Sequence, residues 1–220
     1  MNRPKRFDLI VFDWDGTLFD STAAITRSIQ ASCADLGLPV PSDSQASYVI
    51  GLGLHEALAH CVPGLPPERV PELSQRYRHH YVAKQQELTL FDGATDMLNV
   101  LKARHHWLAV ATGKTRRGLD EVLQHVQLQG LFDSTRTADE TASKPSPLML
   151  NELMRELAVE PERTLMIGDT THDLQLAINA GAARIGVSYG AHDHENFAEF
   201  SPLIVAHSIG ELQSWLVDHA

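Results

Sequence analysis

Residues 8–17 of the chain, DLIVFDWDGT, decide the fold. The run from Leu9 to Phe12 is apolar, contains branched side chains, and is followed by Asp13 and Asp15. A short unbroken apolar run of this kind is typical of a parallel strand that is buried on both faces of its sheet. The stretch therefore predicts a buried strand with two carboxylates at its carboxyl end.

Comparable apolar runs recur along the chain, and helix-like segments separate them. The further predicted strands are 107–112 (WLAVAT), 164–168 (TLMIG), 183–187 (ARIGV) and 203–206 (LIVA). The predicted helices are about 93–104, 115–126, 147–158 and 171–180. Strands that alternate with helices form βαβ units, in which helices cover both faces of a parallel sheet. The fold class is therefore α/β, with a doubly wound, Rossmann-like core.

One interval is too long for a single crossover helix. More than ninety residues separate Asp13 from the strand that starts at Trp107. Much of this interval has helical periodicity, and the Pro-rich stretch at 63–67 divides it. We expect residues 20–86 to form a small helical cap inserted after the first strand. Residues 1–19 and 87–220 would then form the catalytic core.

Composition limits the classes of function. The chain has 220 residues, 43% of them hydrophobic, and a formal net charge of −10. That charge argues against nucleic acid as a partner, because contacts to phosphates dominate such binding. No apolar run approaches the roughly 18 residues that a membrane helix needs. Cys33 and Cys61 lie in helix-like apolar settings and are expected to be buried free thiols, so we expect a cytoplasmic protein.

The chemistry-bearing residues follow the predicted strands. The carboxyl ends of parallel strands lie at one edge of the sheet, and ligands bind in the crevice there. Residues 13–17 (DWDGT) end the first strand, Thr112 and Gly113 end the second, residues 168–173 (GDTTHD) end a third, and Lys144 precedes a helix. Clustered carboxylates require a cation, and hard oxygen ligands suit Mg²⁺. A phosphoryl group between that metal and an ammonium would be neutralised from both sides, as phosphoryl transfer demands.

An aspartate can serve as the nucleophile in this setting. The turn at Gly16 could bring the second carboxylate, Asp15, back over the reaction centre. There it could protonate the leaving oxygen and later deprotonate the attacking water. The residues alone therefore favour a phosphoryl-transfer site built around Asp13.

The four motifs together resemble the haloacid dehalogenase superfamily. The pattern runs Asp13-x-Asp15-Gly16-Thr17, then Thr112, then Lys144-Pro145, then Gly168-Asp169-x3-Asp173. The inserted helical segment resembles the C1-cap class, and the phosphoglycolate phosphatase-like hydrolases are the most similar branch. The resemblance covers essentially the whole chain. It implies a magnesium-dependent phosphatase that acts on a small phosphorylated metabolite, with phosphoglycolate as the leading substrate.

The resemblance also implies a role for each matching residue of the core. Asp13 would be the nucleophile and a Mg²⁺ ligand, and Asp15 the general acid and base, with its backbone carbonyl on the metal. Thr112 and the Gly113 amide would bind phosphoryl oxygens, as would Lys144. Two further residues complete the expected metal centre: Asp169 as a ligand, and Asp173 as support through the metal shell or Lys144.

Three residues near the expected substrate have two readings each. The turn at Gly51 and Gly53 resembles the substrate-specificity loop of the cap, although a simple turn between helices explains it as well. Arg116 could reach a substrate carboxylate or could cover a helix face. Trp14 and the sequence around Gly113 depart from the commoner pattern of the family without removing a catalytic group.

Two alternatives remain open from the sequence. A hexose phosphate mutase uses the same four motifs, and it differs only in that a second sugar hydroxyl, rather than water, attacks the phosphorylated aspartate. A non-enzymatic phosphoacceptor switch also groups acids, Thr and Lys on a doubly wound sheet. The spacing of Asp13 and Asp15 and the large cap favour an enzyme over the switch. We expect a monomer or weak homodimer, because core and cap cover each other.

Overall fold

A parallel sheet forms the centre of the molecule. The computed structural model describes residues 5–220. Its strands are β1 (Leu9–Phe12), β2 (Trp107–Thr112), β3 (Ser134–Thr137), β4 (Thr164–Gly168), β5 (Ala183–Val187) and β6 (Val205–Ala206). They pair in the order β3-β2-β1-β4-β5-β6, and every neighbouring pair is parallel. The predicted doubly wound α/β fold is confirmed.

Helices cover both faces of the sheet and form a separate unit after β1. They are α1 (Thr22–Asp35), α2 (Asp43–Tyr48), α3 (Leu54–Cys61), α4 (Val70–Gln85), α5 (Ala94–Ala103), α6 (Arg116–His125), α7 (Leu148–Leu157), α8 (Thr171–Asn179) and α9 (Ile209–His219). Short 3-10 turns lie at Pro67–Arg69, Pro161–Arg163 and His194–Phe200.

Strand β1 shows why the sheet is buried on both sides. Its side chains alternate between the faces, as a pleated strand requires. Ile10 and Phe12 pack into one hydrophobic cluster, which also contains residues of α5, α6 and α9. Leu9 and Val11 pack into a second cluster on the opposite face, with residues of α7 and α8. An apolar residue is therefore needed at each of these four positions.

The register of the strands aligns their carboxyl ends. Phe12 lies opposite Val110 of β2 and Ile167 of β4. The chain runs from β1 to the β2 side of the sheet and returns to the β4 side, so the crevice at the end of β1 is the topological switch point. The next residue after Phe12 is Asp13, whose amide donates to the Ile167 carbonyl at 2.8 Å. The fold thus places Asp13 where a ligand is expected.

Helices α1 to α4, here called the helical cap, bury a hydrophobic core of their own. Ile29, Leu58 and Leu73 are almost inaccessible members of this cluster. The two segments that join the cap to the sheet run side by side, since the Phe91 amide donates to Leu18 and the Asp20 amide to Thr89. This organisation agrees with an inserted unit, and the exact limits 20–86 remain a prediction.

Two strands differ from the sequence prediction. Strand β3, with the sequence STRT, is absent from the prediction because an edge strand of polar residues has no apolar run. The predicted strand 203–206 is shorter, and only Val205–Ala206 pair with β5. In the described residues, no helix combines the length and apolar character that a membrane crossing requires.

Candidate active site

Asp13 and Lys144 form a buried ion pair at the carboxyl end of β1. The Lys144 Nζ lies 2.5 Å from Asp13 Oδ1 and 2.7 Å from Asp173 Oδ1. The side chains of all three residues are 1% exposed or less. Burial alone lowers the pKa of Lys144, but the two carboxylates outweigh that effect and raise it. Lys144 therefore remains a charged donor between two carboxylates.

The other oxygen of Asp13, Oδ2, is buried and has no hydrogen-bond partner. Burial raises the pKa of Asp13 well above its usual value; Lys144 opposes this rise, and Asp173 and Asp169 reinforce it. A buried carboxylate oxygen without a partner is costly unless a ligand completes its surroundings. The orphaned Oδ2 thus indicates a place for a cation or a reacting group.

Asp169 is held rigidly beside Asp13 by donors on both of its oxygens. Thr17 donates to Oδ1 at 2.8 Å, and the Ala191 amide donates to Oδ2 at 2.7 Å. Burial, together with the neighbouring Asp173, raises the pKa of Asp169 to about 7. Two donors fix the direction of this carboxylate without neutralising it.

The glycines around Asp169 explain part of the sequence pattern. A methyl group on Gly16 would collide with the Asp169 carboxylate, and one on Gly190 would collide with the Asp169 side chain. Gly16 also has φ +82°, which other residues rarely adopt. A glycine between Asp15 and Thr17 is therefore required for the backbone to turn over Asp169.

Asp173 is fixed by the start of α8. Thr170 and Asp173 form a capping box, in which Asp173 Oδ2 accepts from the Thr170 hydroxyl at 2.7 Å and from its amide at 3.1 Å. Gly168 allows this packing, because a methyl group there would collide with Asp173. The capping box leaves Asp173 Oδ1 directed at Lys144.

These carboxylates are suited to a divalent metal. One oxygen each from Asp13, Asp169 and Asp173 lies within 4.8 Å of the others. Three buried carboxylates with one ammonium leave excess negative charge, and oxygen donors suit Mg²⁺. Asp13 also has a buried oxygen, Oδ2, without a hydrogen-bond partner, so the donor set fits the expected ion. The side chain of Asp15 does not belong to this group and instead contacts Ser21 and Lys114, in keeping with an expected contribution only through its backbone carbonyl.

Asp15 is held by residues that the sequence analysis does not identify. The Ser21 hydroxyl donates to Asp15 Oδ1 at 2.6 Å, and Lys114 Nζ lies 3.1 Å from the same oxygen. Lys114 also donates to the Tyr81 hydroxyl of the cap at 3.0 Å. Although burial opposes it, Asp15 and two tyrosines, Tyr81 and Tyr77, raise the pKa of Lys114. Lys114 therefore joins the proposed acid and base to the cap.

The predicted cap loop lies directly on the core. A methyl group on Gly113 would collide with the carbonyl oxygens of Gly51 and Leu52. The Gly53 amide donates to the Ser143 hydroxyl at 2.9 Å, next to Lys144. The structure thus brings Gly51 and Gly53 to the carboxyl edge of the sheet, beside the second and third motifs.

Thr112 and Arg116 have different positions. Thr112 is buried at the end of β2, and its hydroxyl accepts from the Lys114 amide at 3.2 Å. Arg116 donates to Glu140 at 2.7 Å and to Thr135 at 2.8 Å, at the edge of the sheet. Of the two readings of Arg116, the structure favours the one in which it covers the protein surface.

A second contact holds the cap against the core. His172 Nε2 and His192 Nε2 lie 2.8 and 2.9 Å from the carbonyl oxygen of Tyr48, at the end of α2. Ser47 donates to the Ala191 carbonyl at 2.5 Å, and the amide of that same residue holds Asp169. Burial lowers the pKa of both histidines. The cap is closed, and its closing contacts adjoin a carboxylate of the site.

Comparisons with known proteins agree with this geometry. The family model described as "Haloacid dehalogenase-like hydrolase" matches residues 10–187. The chain is 30% identical over 207 residues to the phosphoglycolate phosphatase of Aliivibrio fischeri, with 90% of this chain and 91% of that protein covered. It is 31% identical to a 5'-nucleotidase of Pseudomonas aeruginosa, with 97% of each covered.

A solved structure is similar over nearly the whole chain. CbbY from Rhodobacter sphaeroides, determined in complex with phosphate, is 25% identical with a TM-score of 0.79, and the match covers 94% of this chain and 96% of that one. The predicted phosphoric monoester hydrolase of the phosphoglycolate phosphatase-like type is thereby confirmed. The chain belongs to the family of haloacid dehalogenase-like hydrolases.

Proposed function

We propose that this protein is a Mg²⁺-dependent phosphatase that hydrolyses a small phosphomonoester through a phosphoryl intermediate on Asp13. One observation carries the proposal. Lys144 occupies one oxygen of Asp13, whereas the other oxygen, Oδ2, is buried without a hydrogen-bond partner. A carboxylate oriented in this way has one oxygen free to attack, and Lys144 supplies positive charge for a phosphoryl group.

The residues that would hold the metal are Asp13, Asp169 and the backbone carbonyl of Asp15, with Asp173 in support. When bound, Mg²⁺ would neutralise charge on the phosphoryl oxygens. Lys144 would neutralise the same group from the other side. We assign the remaining phosphoryl contacts to Thr112 and the Gly113 amide, at the end of β2.

The reaction divides into two displacements at phosphorus. Asp13 Oδ2 attacks, the ester P–O bond breaks with its electron pair on the leaving oxygen, and Asp15 gives that oxygen a proton. Asp15 then takes a proton from water, and the water oxygen attacks the phosphorus and displaces the Asp13 carboxylate. The Ser21 and Lys114 contacts to Asp15 would hold it in position for both steps.

The closed cap would exclude water from the first displacement. Its contacts with the core include Gly51 above Gly113 and Tyr48 against two histidines. Because water must enter for the second displacement, the cap would have to open or loosen once per turnover. Hydrogen exchange of the two joining segments, around Phe19 and Leu90, would slow in the presence of a phosphate analogue if this is correct.

The substrate and setting are also proposals. Phosphoglycolate is the substrate named for the Aliivibrio fischeri relative, and a nucleotide is implied by the name of the Pseudomonas aeruginosa one. For this chain we propose a small phosphorylated metabolite, a monomer or weak homodimer, and a cytoplasmic location. The two buried free cysteines support a reducing compartment.

Phosphate release from a panel of small phosphomonoesters tests the proposal. The panel is assayed with and without Mg²⁺, for the wild type, for Asp13→Asn and for Asp96→Asn, a control at an exposed position on α5. We expect Mg²⁺-dependent release that is lost in Asp13→Asn and retained in Asp96→Asn. Retention of activity in Asp13→Asn would refute the mechanism. Interconversion of hexose phosphates without release would favour the mutase instead.

A further inference from the structure

A cavity of about 470 Å³ lies between the helical cap and the core. On the core side it is lined by Asp15, Gly113 and polar residues that include Thr115, Arg117 and Glu121, and the cap supplies the facing walls. If Asp15 protonates the leaving oxygen, as proposed above, the rest of the leaving group must extend into this cavity. The polarity of the cavity walls therefore determines which kind of leaving group binds well.

The walls that the cap contributes are predominantly apolar. The apolar lining residues from this unit include Ile25, Ile29, Val49, Ile50, Leu54 and Val82. Tyr77 and Tyr81 add a stacked aromatic pair, with ring centroids 5.8 Å apart. A volume of this size falls in the range of roughly 300–1,000 Å³ that is typical of small-molecule sites. The cavity can therefore hold a leaving group with many more than two carbon atoms.

The positive charges of the cavity are unsuited to a small carboxylate. Within the described residues that line it, the cations are Lys114, Arg78 and Arg117. Lys114 is engaged by Asp15 and the Tyr81 hydroxyl. Arg78 and Arg117 are exposed, and Arg117 also pairs with Glu121 at 2.8 Å. A glycolate carboxylate beside Asp15 would thus face apolar walls and an ammonium that already has partners.

We propose that the preferred substrate is a phosphomonoester of an extended, mainly hydrocarbon alcohol, with about six or more carbon atoms in the leaving group. This inference rests on the proposed function and refines its substrate class. Burial of each methylene against the apolar cap wall would add to transition-state binding, because apolar surface of both the chain and the wall is removed from water. Phosphoglycolate would be a poorer substrate than such an ester.

A homologous series of n-alkyl phosphates, from ethyl to hexyl phosphate, tests this directly. Their alkoxide leaving groups differ little in reactivity, so changes in kcat/KM report binding of the chain. We expect kcat/KM to rise about three- to fourfold per methylene, and hexyl phosphate to exceed ethyl phosphate about a hundredfold. The kcat/KM for hexyl phosphate should also exceed that for phosphoglycolate. A flat series, or a higher kcat/KM for phosphoglycolate, would overturn the inference and leave the phosphatase proposal intact. No turnover of any ester would overturn both.

Two matched variants locate the effect in the cavity. Val82 lines the cavity and is 55% exposed. Val40 is 54% exposed and lies on the loop between α1 and α2, outside the lining. We expect Val82→Asn to lower the ratio of kcat/KM for hexyl over ethyl phosphate by severalfold and Val40→Asn to leave it unchanged. Thermal melts establish that both variants fold. An unchanged ratio in folded Val82→Asn, or an equal fall in both variants, would overturn the assignment of the cavity.

Discussion

Replacement of Lys144 by methionine tests the charge balance on which the site depends. Its ammonium lies 2.5 Å from Asp13 Oδ1 and 2.7 Å from Asp173 Oδ1, and the side chain has no solvent exposure. Methionine has a similar length and can fill the same space, but it carries no charge. The variant leaves Asp13, Asp169 and Asp173 buried together without a cation.

The size of the effect follows from the burial of the pair. Removal of one partner of a buried ion pair costs about 3–5 kcal/mol of unfolding free energy. The cost depends on pH, because burial raises the pKa of Asp13 and of Asp169, the latter to about 7. A carboxyl group with a raised folded-state pKa binds more protons folded than unfolded, so its ionisation destabilises the protein as pH rises from about 4 towards that pKa. The loss should therefore be larger at about pH 8 than at about pH 5.5.

Urea unfolding in the presence of EDTA measures this loss at both pH values. Lys102→Met is the matched control, because Lys102 contacts Asp133 at a similar 2.8 Å but is 35% exposed. That pair should contribute no more than about 1 kcal/mol and show little dependence on pH over this range. If Lys144→Met is as stable as the wild type at about pH 8, the argument that Lys144 balances the buried carboxylates is refuted.

The contacts of Lys114, Gly113 and Asp169 can each be tested separately. Lys114→Met should lower kcat/KM for alkyl phosphates about a hundredfold, because Asp15 loses its positioning partner in the first displacement. The kcat/KM for 4-nitrophenyl phosphate, whose leaving group needs no proton, should fall less, and equal losses in kcat/KM would contradict this role. Gly113→Ala should raise KM at least tenfold, because its methyl group would strike the cap loop, whereas the unobstructed Gly210→Ala should not. Mg²⁺ should raise Tm more at about pH 8 than at about pH 5.5, because at the lower pH a proton on Asp169 competes with the metal. An equal rise in Tm at both pH values would exclude competition between the proton and Mg²⁺.

The sequence was sufficient to predict the fold because the central strands are mainly apolar runs. The run from Leu9 to Phe12 must be apolar at every position, since its residues belong to two separate hydrophobic clusters on opposite faces of the sheet. Strand β3 could not be predicted in this way. It lies at the edge of the sheet, and its central residues, Thr135 and Arg136, are only partly buried. Polar residues there leave no periodic pattern to detect.

The core of the site was predicted because its residues follow the strands of the sheet. Asp13, Asp169 and Asp173 come close together, as expected of groups at aligned strand ends, and Lys144 contacts Asp13 and Asp173 from the loop before α7. Their roles in binding and catalysis remain proposals. What the sequence could not supply is the geometry that determines side-chain direction, such as the amide of Ala191 that holds Asp169.

Contacts between the cap and the core also could not be predicted from the sequence. Lys114 and Tyr81 are separated by 33 positions and belong to different units, so no local pattern links them. His172 and His192 converge on the carbonyl of Tyr48 from more than a hundred residues away. A backbone carbonyl has no signature in the sequence, and these closing contacts become visible only in three dimensions.

The proposed mechanism depends on a covalent intermediate on Asp13, which a single-turnover trap can detect. Asp15→Asn would be mixed with 4-nitrophenyl phosphate and Mg²⁺, quenched in acid within the first turnover, and digested for mass spectrometry. The good leaving group bypasses the need for a proton in the first displacement, whereas the second still needs a base. We expect one equivalent of nitrophenolate per site and a phosphoryl group on the peptide that contains Asp13. Release of free phosphate in step with nitrophenolate, with no phosphorylated peptide, would contradict it.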